Sequence, residues 1–328
     1  MSRRSQVLRA LIGAEGAAVS GEDLAAELGV TRVAVSKHMA ALRDLGYVIE
    51  AAPHTGYQLI SSPDLLLPDA VEALVRDPLW VRFEGGPSTV STNDDAKRLA
   101  RSGAPEGTMV VVGAQTGGRG RLGREWVSPS GGVYLSIILR PSMSPAQSSA
   151  LPLVVALGVA RGLESLGCYP LLKWPNDVWL GTAPGSTDAL GKLSGVLLEM
   201  QSEIDRVEWI VAGIGVNVSS ATGRTPGAAY VDDQVPGCAP AAVAAAVLDG
   251  IAESFGQFVS DGFGTLAEEY VSRSMLEGRE VTVRELDGTV RASGRVQGVD
   301  ADGRLLLDGG SGMLAISTGD VTLRDAGA

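Results

Sequence analysis

The sequence predicts an α+β protein built from three consecutive domains, and three changes of pattern along the chain carry this prediction. Residues 1–62 contain helical segments joined by a tight glycine turn and followed by two short strand-like segments. In residues 63–273, apolar strand-like runs and helical segments alternate without a regular β-α-β period, which indicates a mixed sheet. In residues 274–328, short alternating segments are separated by turn pairs such as Asp287-Gly288, as in a small β-barrel.

The first domain has the pattern of a winged helix-turn-helix. Ser20 and Thr31 stand at the N-caps of helices predicted over Gly21–Leu28 and Arg32–Leu45, with Gly29 in the turn between them. The remaining elements are a first helix marked by Val7, Leu8, Leu11 and Ile12, and strands over Tyr47–Glu50 and Gly56–Ile60. The later helix of such a pair enters the DNA major groove. We therefore expect DNA binding, with a winged helix used only for protein contacts as the alternative.

The helix over Arg32–Leu45 is expected to divide its side chains between packing and DNA. Packing positions are predicted at Val33, Met39, Leu42 and Leu45. The side chains expected to face DNA are Thr31, Arg32, Ser36, Lys37 and Arg43. The wing, Pro53-His54-Thr55-Gly56, contains no Lys or Arg, so we expect it to hold phosphate weakly.

The strands and helices of the second and third domains follow from runs of apolar and alternating residues. Strands are predicted in the second domain over Val110–Gly113, Val133–Leu139, Val178–Leu180, Ser194–Met200 and Trp209–Val216. Its helices are predicted over Asp94–Ser102, Ala146–Leu166, Ala239–Val259 and Thr265–Val271. The third domain has predicted strands over Glu280–Arg284, Val290–Val299, Arg304–Leu307, Met313–Ile316 and Val321–Leu323.

Composition and charge exclude several classes of protein. The chain has 328 residues, 45% apolar and 20% charged, as in ordinary globular domains. Residues 1–62 hold six Lys or Arg and six Asp or Glu, so the net charge of −11 belongs to the remainder. A protein that coats nucleic acid generally would be basic, so any DNA contact must be local. No apolar run approaches the ~18 residues of a membrane span, and we expect a cytoplasmic protein without a membrane partner.

Histidine and cysteine placement narrows the chemistry further. The two histidines, His38 and His54, both lie in the first 62 residues. The rest of the chain therefore has no histidine for a Ser-His-Asp or Cys-His system or for a zinc site. The two cysteines, Cys168 and Cys238, have no metal or redox spacing. Chemistry in the second domain must rest on Lys, Arg, carboxylates, backbone amides and Mg²⁺.

Residues 117–126 contain four glycines and three arginines, directly after a predicted strand. Such a loop brings backbone N–H groups and guanidinium forks close to an anion. Two generic motifs match it and fail. A dinucleotide fingerprint needs a helix and an acid about 20 residues on, whereas no Asp or Glu occurs between Trp126 and Leu163. A P-loop needs Lys and Ser or Thr where Arg124 and Glu125 stand.

Four further motifs accompany this loop. Residues 91–93, Ser-Thr-Asn, precede a helix and taken alone favour a helix cap. Residues 173–177, Lys-Trp-Pro-Asn-Asp, form an uncommon sequence motif, which favours a functional role over an ordinary turn. Residues 191–195 hold Lys192 at the start of an apolar strand, and residues 213–217 end a buried strand in Asn217. For these last two, a solvated lysine and a strand-ending turn are equally good alternatives.

Together these motifs resemble the biotin protein ligases. The resemblance rests on residues 115–126, 173–177, 191–195 and 213–217, and it extends over nearly the whole chain. Residues 21–57 are similar to the bifunctional branch, in which the ligase also represses the biotin operon. The resemblance implies a central biotin/lipoate ligase-like catalytic domain and a C-terminal SH3-like barrel. It also implies biotin and Mg·ATP as ligands, with biotinyl-5′-AMP formed and biotin passed to a lysine of biotin carboxyl carrier protein.

The resemblance also assigns site residues. It implies that biotin is bound by Ser91, Thr92, Asn93, Gln115, Arg119, Gly120, Arg121, Lys192 and Gly195. It implies that ATP is bound by Arg121, Arg124, Trp126, Lys173, Asn176, Asp177, Asn217 and Arg324. Catalysis falls to Lys192, Arg121 and Asp177, with Asp177 on the Mg²⁺ side. It further implies that the Arg/Gly loop orders over its ligands, and that this favours a homodimer able to bind operator DNA.

Three alternatives remain open at this point. The first is a ligase with a vestigial DNA-binding module, which the neutral wing would fit. The second is a non-catalytic biotin-sensing regulator, against which the presence of Arg121, Asp177 and Lys192 argues. The third is a lipoate ligase, against which the Arg/Gly loop and the helix-turn-helix argue. Residues 181–189 form a long predicted loop before Lys192 with no assigned role.

Overall fold

The computed structural model describes residues 1–52, 55–63, 65–285, 287–310 and 312–323. Within these residues lie three sheets, of two, seven and five strands, in chain order. The two-stranded sheet belongs to a helical N-terminal part, the seven-stranded sheet carries helices on its faces, and the five-stranded sheet stands at the C-terminal end. The α+β class predicted from the sequence is confirmed.

The N-terminal part is a helix-turn-helix followed by a hairpin. Its elements are α1 (Arg3–Gly13), α2 (Gly21–Leu28), α3 (Arg32–Asp44), β1 (Val48–Ala52) and β2 (Gly56–Ser61). The predicted caps form, since Ser20 Oγ accepts from the N–H of Glu22 and Thr31 Oγ1 accepts from the N–H of Ala34. Gly29, with φ of 62°, makes the left-handed turn between α2 and α3.

Two details of α3 differ from the sequence prediction. The core of this part is built by buried residues on α1, α2 and α3, including Val35, Met39 and Leu42. Val33 is instead 79% exposed, because it lies on the opposite side of the helix from Val35 and Met39. Arg43 donates to the carbonyl of Ile49 at the wing hairpin, so its guanidinium is held by the protein itself. The wing residues Pro53 and His54 lie outside the described residues.

A helix that the sequence analysis missed, α4 (Pro68–Leu74), joins the N-terminal part to the rest. Leu67 and Ala70 pack in the N-terminal core, whereas Val71 packs in the large central core. Arg9 on α1 donates to the carbonyls of Ala73 and Val75 at the C-terminal end of this helix. A seven-residue helix shared between two cores shows no single apolar face, which is why the periodicity did not reveal it.

The central domain is built on a seven-stranded mixed sheet in the order β3-β4-β5-β9-β8-β7-β6. The strands are β3 (Arg82–Gly86), β4 (Thr108–Val112), β5 (Val133–Leu139), β6 (Pro170–Lys173), β7 (Asp177–Gly181), β8 (Ala189–Ser202) and β9 (Val207–Val216). Only the β3–β4 pair is parallel among these pairings. β5 is buried along its whole length, as its continuous apolar sequence predicts. β3 and β6, at the two edges, were not predicted.

Helices cover both faces of this sheet. They are α5 (Thr92–Arg101), α6 (Leu151–Ser165), α7 (Pro240–Asp261) and α8 (Gly264–Ser272). α5 packs small residues such as Ala96 and Ala100 on one face, beside the functional cavity. α6 and α7 pack together on the other face, where a Cβ at Gly158 would lie 2.5 Å from Cα of Ile251. Glycine is required there because the two helix backbones touch.

α7 corrects one expectation from the sequence. From the sequence we expect no apolar run of membrane-spanning length, but this helix of 22 residues is long and apolar enough to cross a membrane, with a mean hydropathy of 1.3 over an 18-residue window. In the structure 61% of that window is buried inside the protein, against α6 and the central core. α7 is therefore a core helix, whose apolar length is explained by the residues it packs against.

The C-terminal strands are β10 (Glu280–Arg284), β11 (Val290–Val299), β12 (Leu305–Asp308), β13 (Met313–Ile316) and β14 (Asp320–Leu323). They pair antiparallel in the order β13-β12-β11-β10-β14, so the predicted antiparallel strands are confirmed. Within the described ranges β13 and β14 are the two edge strands and do not pair with each other, so the sheet is open there. The indole N–H of Trp174 donates to the carbonyl of Gly303, which fixes these strands against the central domain.

Candidate functional site

One cavity of about 280 Å³ lies between the Arg/Gly loop and strands β8 and β9. Gly213 and Gly215 of β9 line this cavity, and a side chain at either position would clash with the residues opposite. A Cβ at Gly213 would lie 2.1 Å from Asn93 Oδ1, and one at Gly215 would lie 2.4 Å from Trp126 Nε1. The cavity lining includes Ser91, Thr92, Asn93, Gln115, Arg119, Gly120, Arg121, Arg124, Trp126, Asn176, Asp177, Lys192, Gly195 and Asn217, fourteen of the predicted site residues.

One end of the cavity is a network of uncharged polar groups. The N–H and Oγ1 of Thr92 both donate to Gln115 Oε1, at 2.9 and 3.1 Å. Ser136 Oγ lies 2.7 Å from Thr92 Oγ1 and 2.6 Å from Asn93 Oδ1. Ser91, Thr92 and Asn93 are buried where α5 begins, so their side chains are held in fixed positions. Such an array can hold the polar but neutral head of a ligand by directed hydrogen bonds.

A network of charged side chains contacts Asn93 at this end of the cavity. Asn93 Nδ2 donates to Glu199 Oε2 at 2.8 Å, and Lys97 Nζ lies 2.7 Å from Glu199 Oε1. Burial alone would raise the pKa of the Glu199 carboxyl, but the hydrogen bonds from Lys97 and Asn93 outweigh it and lower that pKa. Glu199 therefore stays ionised and fixes the orientation of the Asn93 amide.

The Arg/Gly loop is folded over the cavity by ion pairs and hydrogen bonds. Arg119 forms a bidentate pair with Asp94, at 2.9 and 2.5 Å. Arg121 donates to Asn176 Oδ1 at 3.0 Å and to the carbonyl of Gly319, and Arg124 pairs with Asp320 of β14. The loop is thus attached to α5, to the turn before β7 and to the C-terminal strands. Its expected disorder without ligand stays a prediction.

Lys192 stands where the charged and neutral ends of the cavity meet. Its Nζ lies 2.8 Å from Asp177 Oδ1 and 5.4 Å from the centre of the Trp126 ring. Asn217 Nδ2 donates to the carbonyl of Lys192, and the backbone N–H of Lys192 donates to the carbonyl of Gly227. The lysine backbone is therefore fixed between β9 and the loop that follows it, while its ammonium group reaches the cavity.

One described residue predicted at the ATP end, Lys173, does not line the cavity. Lys173 Nζ lies 5.3 Å from the centre of the Trp179 ring. Burial lowers the pKa of Lys173, with Asp177 opposing this effect. Lys173 and Asp177 are cross-strand partners and therefore lie on the same face of the sheet, which Trp179, two residues after Asp177, shares. The long Lys173 side chain extends along this face to the Trp179 ring and not into the cavity. Arg324 lies outside the described residues.

The structure also shows functional residues that the sequence analysis did not single out. Asp94, Ser136 and Glu199 complete the networks around Asn93 and Arg119. Residues 225–228, in the loop that follows β9, also line the cavity. Asp94 stands in the first turn of a helix, where an acid is expected for the helix dipole alone. Ser136 and Glu199 come from strands far away in sequence, so only the sheet register could have revealed them.

No cluster of three or more His, Cys, Asp or Glu able to hold a metal occurs within the described ranges. Asp177 lines the cavity as a single carboxylate already paired with Lys192. Mg²⁺ is commonly held by one or two carboxylates together with the phosphates of a substrate. Asp177 therefore fits a magnesium ion only when the ligand itself brings oxygen atoms.

In the N-terminal part, the predicted DNA-facing residues lie on one exposed surface of α3. Arg32, Ser36 and Lys37 are exposed, and Thr31 caps the helix start with its side chain. This surface is separate from the cavity, since the helix-turn-helix adjoins the central domain through α4. The chain thus combines a cavity lined by several cationic side chains with a separate exposed helix face.

Three family models match the chain in the same order as these parts. Residues 3–58 match a helix-turn-helix domain described as "HTH domain". Residues 85–217 match the "Biotin/lipoate A/B protein ligase family". Residues 278–324 match the "Biotin protein ligase C terminal domain".

Individual proteins match over most of the chain. The bifunctional ligase/repressor BirA of Bacillus subtilis is 32% identical over 320 residues, covering 93% of this chain and 94% of that protein. A biotin–[acetyl-CoA-carboxylase] ligase of Paracoccus denitrificans is 32% identical over 251 residues, covering 71% and 97%. The structure of a biotin protein ligase from Aquifex aeolicus in complex with biotin and ATP matches with a TM-score of 0.61 and 29% identity, over 75% of this chain and 99% of that one.

Proposed function

Because the chain belongs to the biotin protein ligase family, in the branch that carries an N-terminal helix-turn-helix domain, we propose that it uses ATP to attach biotin to a carrier protein. In the first step the biotin carboxylate attacks the α-phosphorus of ATP, forming biotinyl-5′-AMP and releasing pyrophosphate. In the second step a lysine amine of biotin carboxyl carrier protein attacks the acyl carbon. AMP leaves, and the amine proton passes to solvent or to a carboxylate.

The observation that carries this proposal is the cavity with a neutral polar end and a cationic end joined at Lys192. Biotin has the same division, since its ureido ring is polar and neutral and its carboxylate is charged. Ser91, Thr92, Asn93 and Gln115 are proposed to bind the ring. Gly195, on β8 beside the Lys192 side chain, leaves room for the apolar chain between ring and carboxylate.

At the cationic end, Arg119, Gly120, Arg121 and Lys192 are proposed to hold the biotin carboxylate and the α-phosphate. No histidine is needed, because the nucleophiles are supplied by the substrates. The protein orients two anions that would otherwise repel each other and stabilises the charge that develops as they react. Lys192 is proposed to bridge the two anions.

Arg121, Arg124, Trp126, Asn176, Asp177 and Asn217 are proposed to bind ATP. Lys173, which does not line the cavity, and Arg324, which lies outside the described residues, are retained in this proposed set. A Mg²⁺ ion would be held by Asp177 with the phosphates of ATP and would neutralise part of their charge. In the protein alone, Asp177 and Asp320 neutralise Lys192 and Arg124, so substrate anions would exchange with these carboxylates.

The helix-turn-helix adds a second proposed activity, which is biotin-responsive repression of biotin genes through operator DNA. Thr31, Arg32, Ser36 and Lys37 are proposed to contact the operator. We also propose that biotinyl-5′-AMP promotes a homodimer, since a two-fold dimer is the usual reader of a palindromic operator. We propose a cytoplasmic location for both activities, because carrier protein and operator DNA are intracellular partners.

Two assays test the proposal. Biotin-dependent exchange of pyrophosphate into ATP, followed by biotin transfer to a carrier domain, is expected for the purified chain; lipoate in place of biotin is expected to give neither. A gel shift with biotin-gene promoter DNA is expected only when biotin and ATP are both present. Exchange without any shift would leave the ligase and remove the repressor, whereas activity with lipoate alone would overturn the biotin assignment.

A further inference from the structure

The recognition helix α3 exposes an apolar side chain among its polar DNA-facing residues. Val33 is 79% exposed, although it stands only two residues before Val35, which is fully buried. α3 contacts the domain core through Val35, Met39 and Leu42, and Val33 is turned away from all of them. The packing of this domain therefore does not explain why position 33 is apolar.

Val33 belongs to a continuous exposed face near the start of α3. The other members of this face are Arg32, Ser36, Lys37 and Ala40. Arg32 directly precedes Val33, and the others follow it by three, four and seven residues, which places them side by side on one helix surface. No Asp or Glu occurs in α3 before Asp44, at its far end.

The first turn of α3, like that of α1 and unlike that of α2, has no acidic side chain. An isolated helix is stabilised by acidic residues near its N-terminus, and α2 has Glu22 and Asp23 there. α3 has no acidic residue in its first turn and begins with Arg32. The positive end of the α3 dipole is thus left for an external negative charge.

We propose that Val33 is a specificity-determining residue, whose methyl groups contact the C5 methyl of a thymine in each operator half-site. This inference rests on the operator binding proposed above. In the major groove only thymine presents a methyl group, and the N-terminal residues of a recognition helix reach the base edges. Arg32 and Lys37 on either side hold the neighbouring phosphates or guanines. A valine has a stiff χ1 angle, so its methyl groups reach the groove in one fixed orientation.

The test selects preferred sites from a random-sequence DNA duplex library, using full-length protein with biotin, ATP and Mg²⁺. The wild type and V33A are compared, with V259A as the matched control, since Val259 is an exposed valine on α7 away from this face. The consensus duplex is then synthesised with deoxyuridine in place of each thymine in turn. Loss of one methyl contact, about 0.8 kcal/mol, corresponds to about a fourfold change in Kd for each half-site.

The wild type and V259A are expected to select a thymine at one position of each half-site, and V33A is expected to lose that preference alone. Deoxyuridine at this position should weaken the wild type about fourfold for each half-site and leave V33A unchanged. A V33A consensus identical in bases and strength to that of the wild type would overturn the inference while leaving operator binding in place. Selection of no sequence by either protein would overturn the inference and the repressor function together.

Discussion

Arg119 of the Arg/Gly loop and Asp94 of α5 form a bidentate ion pair with N–O distances of 2.9 and 2.5 Å. Asp94 directly follows Asn93, so the residue that holds the loop stands beside one that lines the neutral end of the cavity. The same carboxylate accepts from Lys97, which also pairs with Glu199. Loop closure and the orientation of the Asn93 amide are therefore connected through one short helix turn.

Replacing Asp94 by Asn tests this connection. We expect D94N to raise the KM for biotin about tenfold and to leave the KM for ATP within about twofold, because a neutral amide holds Arg119 more weakly. Limited proteolysis should also cleave within residues 117–126 faster in D94N, both without ligand and at saturating biotin. R98A is the control, since Arg98 lies on the same helix and pairs with Asp95, outside the cavity lining. Equal proteolysis of D94N and the wild type would contradict the role of the pair.

The pH dependence of this ion pair follows from its pKa. The hydrogen bond from Arg119 lowers the pKa of Asp94 to about 2. Because the folded pKa lies below the unfolded value of about 3.9, the pair contributes fully above about pH 4 to 5 and is lost as pH falls towards 2. The ratio of biotin KM between D94N and the wild type should thus stay constant from about pH 6 to 9. A ratio that changed across this range would show that another group titrates at the loop.

Lys192 is expected to be essential for the first chemical step. K192A should lower biotin-dependent pyrophosphate exchange at least about 100-fold, because two anions would meet without the cation between them. K192R should retain more activity than K192A because it keeps the positive charge, but less than the wild type because a planar guanidinium replaces the compact ammonium group. R295A is the control, because Arg295 is exposed on β11 and its ion-pair partner Glu280 is also outside the cavity. Exchange by K192A at more than about a tenth of the wild-type rate would remove Lys192 from the mechanism.

Much of this site could be predicted because its residues occur as short motifs whose composition is chemically unusual. Residues 117–126 combine charge with glycine, residues 173–177 combine charged and amide side chains with Trp and Pro, and both segments contribute to the cavity lining. Lys173 shows the limit of this reasoning, because it belongs to the same motif as Asp177 but its ammonium group lies over the Trp179 ring and not in the cavity lining. Motif membership does not state which neighbour a long side chain reaches.

Other features could not be predicted because they depend on contacts between distant segments. Ser136 and Glu199 have sequence neighbours typical of any buried strand, and they join Asn93 only through the register of the sheet. α4 is shared between two cores and therefore lacks the single apolar stripe that marks a helix. Val33 was assigned to packing because apolar residues usually are, and only the orientation of α3 shows that it is exposed.

Gly213 in the cavity lining gives a second prediction about biotin binding. A methyl group at residue 213 would lie 2.1 Å from Asn93 Oδ1, so G213A must displace the Asn93 side chain. We expect the KM for biotin to rise about tenfold or more, with a smaller change in the KM for ATP. G256A is the matched control, because Gly256 lies on α7 with no atom within 4 Å of an added Cβ. An unchanged biotin KM in G213A would exclude Asn93 from the binding of biotin.

The attachment of the helix-turn-helix through α4 predicts that its stability can be changed without affecting catalysis. Arg9 donates to the carbonyls of Ala73 and Val75, at 2.6 and 2.8 Å. These carbonyls lie at the C-terminal end of α4, where no further helical N–H follows to bond them. R9A should lower the free energy of unfolding of the N-terminal part by about 1 to 2 kcal/mol, while pyrophosphate exchange stays at the wild-type rate.

R3A is the control, since Arg3 on the same helix donates only to Gln6 among its hydrogen bonds in the described structure. Thermal unfolding followed by proteolysis of residues 1–62 measures the effect. A parallel loss of exchange activity in R9A at assay temperature would show instead that α4 also supports the catalytic cavity.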